Sequence, residues 1–200
     1  MMDIYLIRHG ECDISSSAHY DPELNIVNPP LTEIGTQQAA HLADRCRAIG
    51  FDLIVSSDLT RAMQTAEQIL AQSPCEYTVN PSFREIDMGD IPFKSWHDFP
   101  ELYAKWSLHD EDIPYPNGEN GQDVWQRCKA PLDVLLATNH QKIAIVCHGG
   151  TIRSIICGVL NLPQQKRFYL GAPLENASIS ILKYIDGRVS LHTFNDIAHL

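Results

Sequence analysis

Apolar and polar positions fall into strand-like and helix-like stretches that take turns along the chain. Residues 3–7 hold a β-favouring run (Ile4, Tyr5, Leu6, Ile7) that stops at Arg8-His9-Gly10, which predicts a strand delivering its C-terminal end into a loop. Residues 12–31, with Ser15-Ser16-Ser17, Pro22, Asn28, Pro29 and Pro30, read as loop. Thr32 is a good N-cap. Ala39, Leu42, Ala43 and Cys46 follow at helical spacing, Gly35 is a weak spot, and Gly50 stands where a helix-ending glycine belongs. Residues 51–56 predict a second strand, after which Ser57 or Asp58 caps a helix carrying Leu59, Ala62, Met63, Ala66, Ile69 and Leu70. Residues 77–79 predict a short strand, and residues 81–118 are irregular and rich in Pro, Asp and aromatics. Gly118-Glu119 introduces a long helix through Val124, Cys128, Leu132, Leu135 and Leu136, interrupted or bent near Pro131. Residues 143–147 are continuously apolar, as expected of a central parallel strand buried on both faces. That run ends at His148-Gly149-Gly150 and feeds a helix from Thr151. Residues 178–184 and 189–194 alternate around Asp186-Gly187, which predicts a closing hairpin.

Strand–helix alternation followed by a hairpin predicts an α/β fold, a three-layer sandwich with a mostly parallel central sheet flanked by helices. Ligands of such sheets lie beyond the carboxyl ends of the strands. Three strands deliver unusual residues to that end: Arg8-His9, residues 56–61, and His148-Gly149.

Composition narrows the function. A chain of 200 residues suits a single domain over 1–200. With 44% apolar and 20% charged residues it is an ordinary globular protein, not a disordered one. Fifteen basic and twenty-five acidic side chains give a net charge of −10, which argues against nucleic-acid partners and a polybasic membrane surface. A small phosphate ester stays open, because local charge can oppose the global sign. The six cysteines are dispersed without a C-x-x-C pair, so they read as reduced thiols of a cytoplasmic protein rather than zinc ligands or a redox motif. The N-terminal apolar run is too short for a signal peptide, and no run approaches the ~20 residues of a membrane helix. The pattern fixes no oligomeric state, a homodimer being one option.

Taken singly, each candidate residue has an ordinary structural explanation. His9 could be a strand-end histidine satisfied by the backbone beside a surface Arg8. The glycines after His148 permit a tight turn. Arg61, misplaced in the first turn of a helix, could be solvated. Glu85, in Phe83-Arg84-Glu85-Ile86-Asp87, could simply pair with Arg84. Together in one cleft they would set two histidines, two arginines and a carboxylate around a phosphate-sized spot, with helix N–H groups at His148-Gly149-Gly150 adding an anion site.

At this point the chain resembles the histidine phosphatase superfamily, the group that includes cofactor-dependent phosphoglycerate mutase. The resemblance rests on six blocks in family order: Leu6-Ile7-Arg8-His9-Gly10-Glu11; Pro30-Leu31-Thr32-Glu33-Ile34-Gly35 with Gln38-Ala39; Ser56-Ser57-Asp58-Leu59-Thr60-Arg61-Ala62 with Thr65-Ala66; Phe83-Arg84-Glu85; Pro116-Asn117-Gly118-Glu119; and Val146-Cys147-His148-Gly149-Gly150. It implies a phosphoglycerate mutase-like fold in which residues 86–118 form a cap-like insertion over the site. It implies His9 as the nucleophile that becomes phosphohistidine. Arg8, Arg61 and His148 would surround the phosphoryl oxygens, with Gly149 and Ser15 as further substrate contacts. Ser15 stands where the family often has Asn. Glu85 would protonate the leaving alkoxide and later take a proton from water. Attack needs a neutral ring, and adjacent Arg8 and Arg61 disfavour the protonated one. A backbone carbonyl near Gly10 could hold the other ring N–H. No metal and no cofactor is implied; the partner is a small phosphorylated metabolite.

Within the superfamily, residues 83–90 and 148–153 resemble the alpha-ribazole phosphatases of cobalamin nucleotide-loop assembly, which implies alpha-ribazole 5'-phosphate as substrate. A mutase-type phosphotransferase, a phosphatase of another small phosphate, and a non-catalytic phospho-ligand binder are the alternatives. The Gly-x-Trp-Glu-Gly stretch common after the acidic block is replaced by residues 89–93, so the substrate pocket departs from the family pattern. Phe93, Trp96, Phe99, Tyr103, Trp106 and Tyr115 crowd this region. Most are expected to pack the segment onto the core, with one or two free to stack on a flat heterocycle. Pro100 suits a first helical turn, which would put Tyr103 and Trp106 on one face. A metallohydrolase using His9, Glu11, Asp13 and His148 lacks any H-E-x-x-H or clustered-Asp pattern. An α/β-hydrolase lacks its G-x-S-x-G elbow.

Overall fold

A computed structural model describes residues 1–13, 19–24, 26–91, 94, 96–171 and 173–200. Its chain order is β1 (Met2–Arg8), β2 (Tyr20–Asp21), β3 (Ile26–Val27), α1 (Glu33–Ile49), β4 (Leu53–Ser56), α2 (Thr60–Gln72), β5 (Glu76–Val79), α3 (Pro100–Trp106), α4 (Gly121–Leu136), β6 (Lys142–Cys147), α5 (Gly149–Val159), β7 (Ile179–Ile185) and β8 (Arg188–Asp196). Six strands form one sheet in the order β5-β4-β6-β1-β7-β8. β5, β4, β6 and β1 run parallel. β7 and β8 join antiparallel, so the sheet is mixed, with its parallel part carrying the site.

The two faces of the sheet follow from period-two alternation. Ile4 and Leu6 of β1 join Leu53, Val55, Ile143 and Ile145 on one face, which α4 and α5 cover through Val124, Cys128, Leu132, Ile152 and Ile155. Tyr5 and Ile7 join Ile54, Ala144 and Val146 on the other, under Leu42, Ala43 and Cys46 of α1 and Ala62, Ala66 and Ile69 of α2. Each large aliphatic side chain so buried contributes about 1.5–3 kcal/mol, and together they fix the strand ends that carry the site.

Element ends show what local chemistry decides. Thr32 caps α1 by accepting from Gly35 N–H at 3.0 Å, and Gly50 ends it at φ 67°. Gly35 is no weak spot: a Cβ there would lie 2.0 Å from the Glu11 carbonyl oxygen, so only glycine lets α1 approach the 10–11 backbone. Neither Ser57 nor Asp58 caps α2. Leu59 is its N-cap and offers no side-chain bond, because Asp58 is drawn away to the Arg84 guanidinium. Helix α4 starts later than Gly118-Glu119 suggests. Asn120 and Asp123 close a capping box, and the helix runs unbroken through Pro131. Helix α5 begins at Gly149 rather than Thr151. The 12–31 loop contains the β2–β3 pair and a bridge between Cys12 and Leu31.

Candidate active site

Strands β1 and β6 run side by side with Arg8 opposite Cys147, so His9 and His148 leave adjacent strands at the same level. Their ring centroids lie 5.0 Å apart. His9 is pinned on both sides of its backbone: its N–H donates to the Cys147 carbonyl and its carbonyl accepts from Ala177 N–H, both at 3.0 Å. The His9 ring is buried and its Nδ1 lies 2.6 Å from the Gly10 carbonyl oxygen. A carbonyl only accepts, so Nδ1 carries the proton and Nε2 keeps its lone pair. Arg61 Nε donates to that Nε2 at 3.2 Å, in agreement with this tautomer. Burial, then the charges of Arg61 and Arg8, hold the His9 pKa well below the ordinary imidazole value.

His148 is fully buried, and its Nε2 lies 2.9 Å from the Ser57 hydroxyl. That hydroxyl also accepts from Leu59 N–H; with its own proton given to Nε2, the ring proton sits on Nδ1. Burial first, then Arg61, pushes the His148 pKa well below the ordinary value too. Arg61 is not solvated: it is 4% exposed, in the first turn of α2. Thr65 braces this corner, donating to the Arg61 carbonyl and accepting from Gly10 N–H. Arg8 donates to the Leu174 carbonyl. Arg8 Nε, Arg61 Nη1 and His148 Nδ1 are buried donors without a partner among the described residues.

Glu85 does not pair with Arg84, which forks onto Asp58 instead. Its carboxylate caps α5, accepting from Gly150 N–H and Thr151 N–H, each at 3.1 Å, and from Ile86 N–H at 2.9 Å. A Cβ on Gly150 would sit 2.5 Å from Glu85 Oε1, so the second glycine makes room for the acid. Gly149 lies against Arg8, whose Nε would be 3.5 Å from its Cβ. Arg127 of α4 fixes the acidic loop from below, donating to the Ser82 and Glu85 carbonyls while paired with Glu119.

The structure therefore brings His9, Arg8, Arg61, His148, Glu85 and Gly149 together. Ser15 lies outside the described residues. The anion expected at the N–H groups after His148 is the Glu85 carboxylate itself, held by Gly150 and Thr151. Sequence reasoning missed Ser57, Thr65 and Arg127; the first two lie inside the quoted motif blocks, and Arg127 carries no local signal. Among the described residues no three of His, Cys, Asp and Glu form a metal-sized group. No helix there is long and apolar enough to cross a membrane.

The aromatic segment mostly packs. Trp106 sets its edge against Phe168 at 5.3 Å, and His109 stacks on Phe168 at 3.9 Å. Tyr115 joins Trp106 at 5.7 Å. Tyr103 is 47% exposed and does not follow Trp106 inward. Phe93 and the Trp96 side chain lie outside the described residues. A groove of about 400 Å³ between α4 and the β7–β8 hairpin, lined by Trp125, Leu132 and Tyr184 among others, shares no residue with the cluster.

Comparison with known proteins finds relatives over the whole chain. The sequence model of the histidine phosphatase superfamily (branch 1) matches residues 4–197. A protein of Proteus mirabilis described as a probable phosphoglycerate mutase is 32% identical over all of this chain and 95% of its own length. The mycobacterial glucosyl-3-phosphoglycerate phosphatase, solved with inorganic phosphate, superposes with a TM-score of 0.85 at 25% identity, over the whole of both chains. The alpha-ribazole phosphatase of Shigella flexneri shares the fold, with a TM-score of 0.81 at 24% identity over 98% of each chain.

Proposed function

The chain belongs to the histidine phosphatase superfamily, branch 1, and on that footing we propose that it is a phosphomonoesterase working through phosphohistidine at His9. The observation that carries the reading is the His9 ring: neutral, with Nδ1–H held by the Gly10 carbonyl and the Nε2 lone pair aimed at Arg61. In this reading Nε2 attacks phosphorus as the bond to the ester oxygen breaks, and Glu85 gives its proton to the departing alkoxide. Water then attacks phosphorus, Glu85 takes a proton back, the P–N bond breaks, and inorganic phosphate leaves. Arg8, Arg61 and His148 Nδ1 are donors for the phosphoryl oxygens. In so loose a transition state, positioning and charge account for most of the acceleration. Gly149 lets the chain pass close to Arg8, and residues 86–118 serve as a cap beside Glu85. The cycle calls for no metal and no cofactor.

The likeness of residues 83–90 and 148–153 supports alpha-ribazole 5'-phosphate as substrate. A mutase reading is favoured by the 32% identical relative. Rapid quenching of a reaction with labelled 4-nitrophenyl phosphate tests the shared first step. The expected result is an acid-labile, base-stable label on His9, with both label and turnover absent in His9→Ala. Full turnover in His9→Ala would sink the mechanism.

A further inference from the structure

The stretch that follows β8 reaches back toward the site. His199 Nε2 lies 3.0 Å from the Ala177 carbonyl oxygen, and its Nδ1 lies 3.1 Å from Arg45 Nη1. A carbonyl only accepts and a guanidinium only donates, so Nε2 carries the ring proton and Nδ1 receives the Arg45 bond. Burial, then the Arg45 charge, lowers the His199 pKa and favours this neutral ring. Arg45 belongs to α1 and is itself paired with Asp196, the last residue of β8.

Ala177 is the other half of the contact. It is buried, and its φ of 56° lies in the left-handed region that an alanine seldom adopts. A residue so placed keeps its conformation only where its surroundings hold it there. On one side the Ala177 N–H donates to the His9 carbonyl at 3.0 Å. On the other the Ala177 carbonyl accepts from His199. The next carbonyl, of Ser178, accepts from Arg8 N–H at 3.0 Å, so one turn fixes the backbone of both Arg8 and His9. Asn195 ties that turn at one more point, accepting from Glu175 N–H at 2.9 Å. Arg45, His199, Ala177 and His9 thus form a continuous line of hydrogen bonds. Without the ring, Ala177 is released to relax to a negative φ, which swings its N–H off the His9 carbonyl. The Gly10 carbonyl, one peptide further on, holds His9 Nδ1, so the movement reaches the bond that sets the tautomer.

We propose that His199 is a positioning residue: it holds the backbone on both sides of Ala177 and, through it, the backbone that aims the His9 ring. The inference rests on the reading of His9 as nucleophile, and it has a readout that needs no turnover.

The His9 Nδ1 proton is that readout. In protein isotopically labelled at histidine nitrogen its resonance is identified by its absence in His9→Ala, and its exchange with solvent measures how firmly the ring is held. The test compares His199→Gln with His199→Asn. Glutamine carries an N–H at the reach of Nε2 and an oxygen for Arg45. Asparagine, one carbon shorter, leaves the Ala177 carbonyl unmet. The expected result is exchange within about twofold of the wild type in His199→Gln, and at least about tenfold faster in His199→Asn. The kcat for 4-nitrophenyl phosphate should follow the same order, kept in His199→Gln and at least about tenfold lower in His199→Asn, with KM moved less. Equal exchange in the two variants, or faster exchange in His199→Asn with kcat unchanged, would overturn the proposal while the phosphomonoesterase reading stands. A wild type inert on 4-nitrophenyl phosphate would overturn that reading, and the exchange comparison would still judge this one.

Discussion

The two site histidines tie activity to acid stability. His9 and His148 are buried as neutral rings, with pKa values held well below 6.5 by burial and by Arg61. The unfolded chain binds protons at these residues near pH 6.5, and the folded chain does not. Their depressed values therefore cost nothing above pH 6.5 and cost more as pH falls below it. The slope is about 1.4 kcal/mol per pH unit for each ring. Asp196, lowered to about 2 by Arg45, loses its contribution only below about pH 4, so it does not change between pH 7.5 and 5.0. Urea unfolding between pH 7.5 and 5.0 should show stability unchanged down to about pH 6.5 and falling below it. Stability that is flat or rising toward pH 5 would contradict neutral, buried rings. The meeting of Arg8, His9, Arg61 and His148 was legible because each sits at the end of a strand or the start of a helix inside a short motif, and Glu85 was legible only through its motif. Ser57 and Thr65 sit in the same blocks, but their roles were hidden: Ser57 acts on a ring 91 positions away, and Thr65 on a backbone 55 positions away. Such pairings exist only once the sheet is assembled.

At the level of elements, caps were read well where the capping oxygen had no rival partner. Thr32 gives its hydroxyl proton to Glu11 but keeps its oxygen for the Gly35 N–H, and caps α1 as its sequence suggests. Asp58 had Arg84, and a bidentate charged partner outweighs a cap worth about 1 kcal/mol. The start of α4 was misplaced for a related reason. Its first N–H groups are served from two places, by Asn120 and by Asp112, which accepts from Gly121 and Gln122 at 2.9 and 2.8 Å. Asp112 also pairs with Arg167, whose side chain is 3% exposed. Asp112→Ala therefore removes two helix caps and leaves a buried guanidinium alone, a loss expected to reach about 3–5 kcal/mol. Asn120→Ala should cost only about 1 kcal/mol. Urea denaturation of both variants checks the order. An Asp112→Ala protein no less stable than Asn120→Ala would mean that Arg167 finds another partner.

For the whole molecule, the phosphatase and mutase readings differ in which acceptor would meet the proposed phosphohistidine. Length does not decide it, since this chain spans 95% of a relative described as a mutase. What decides it is whether residues 86–118 can seal the intermediate from water and reopen in each turnover, as a mutase requires. Two contacts fasten the described part of the segment to its surroundings, and a third closes it on itself. Asp112 is locked to Arg167. Glu119 takes the Asp87 N–H and pairs with Arg127, which also holds the Glu85 carbonyl. The backbones at Gly89 and Gly118 touch so closely that a Cβ on Gly89 would fall 2.0 Å from the Pro116 carbonyl oxygen. Swinging the segment would break the buried pair, at about 3–5 kcal/mol, and would drag the Glu85 loop with it. With its described residues so fixed, the segment is expected to hold one position through the cycle and to leave water the same access to the proposed intermediate before and after the alcohol leaves. Net phosphate release is therefore expected to outrun isomerisation. A single preparation supplied with 3-phosphoglycerate, with phosphate and 2-phosphoglycerate followed in parallel, measures both rates. Isomerisation faster than release would show that the segment closes despite its fastenings, and would replace the phosphatase reading with a mutase one inside the same family.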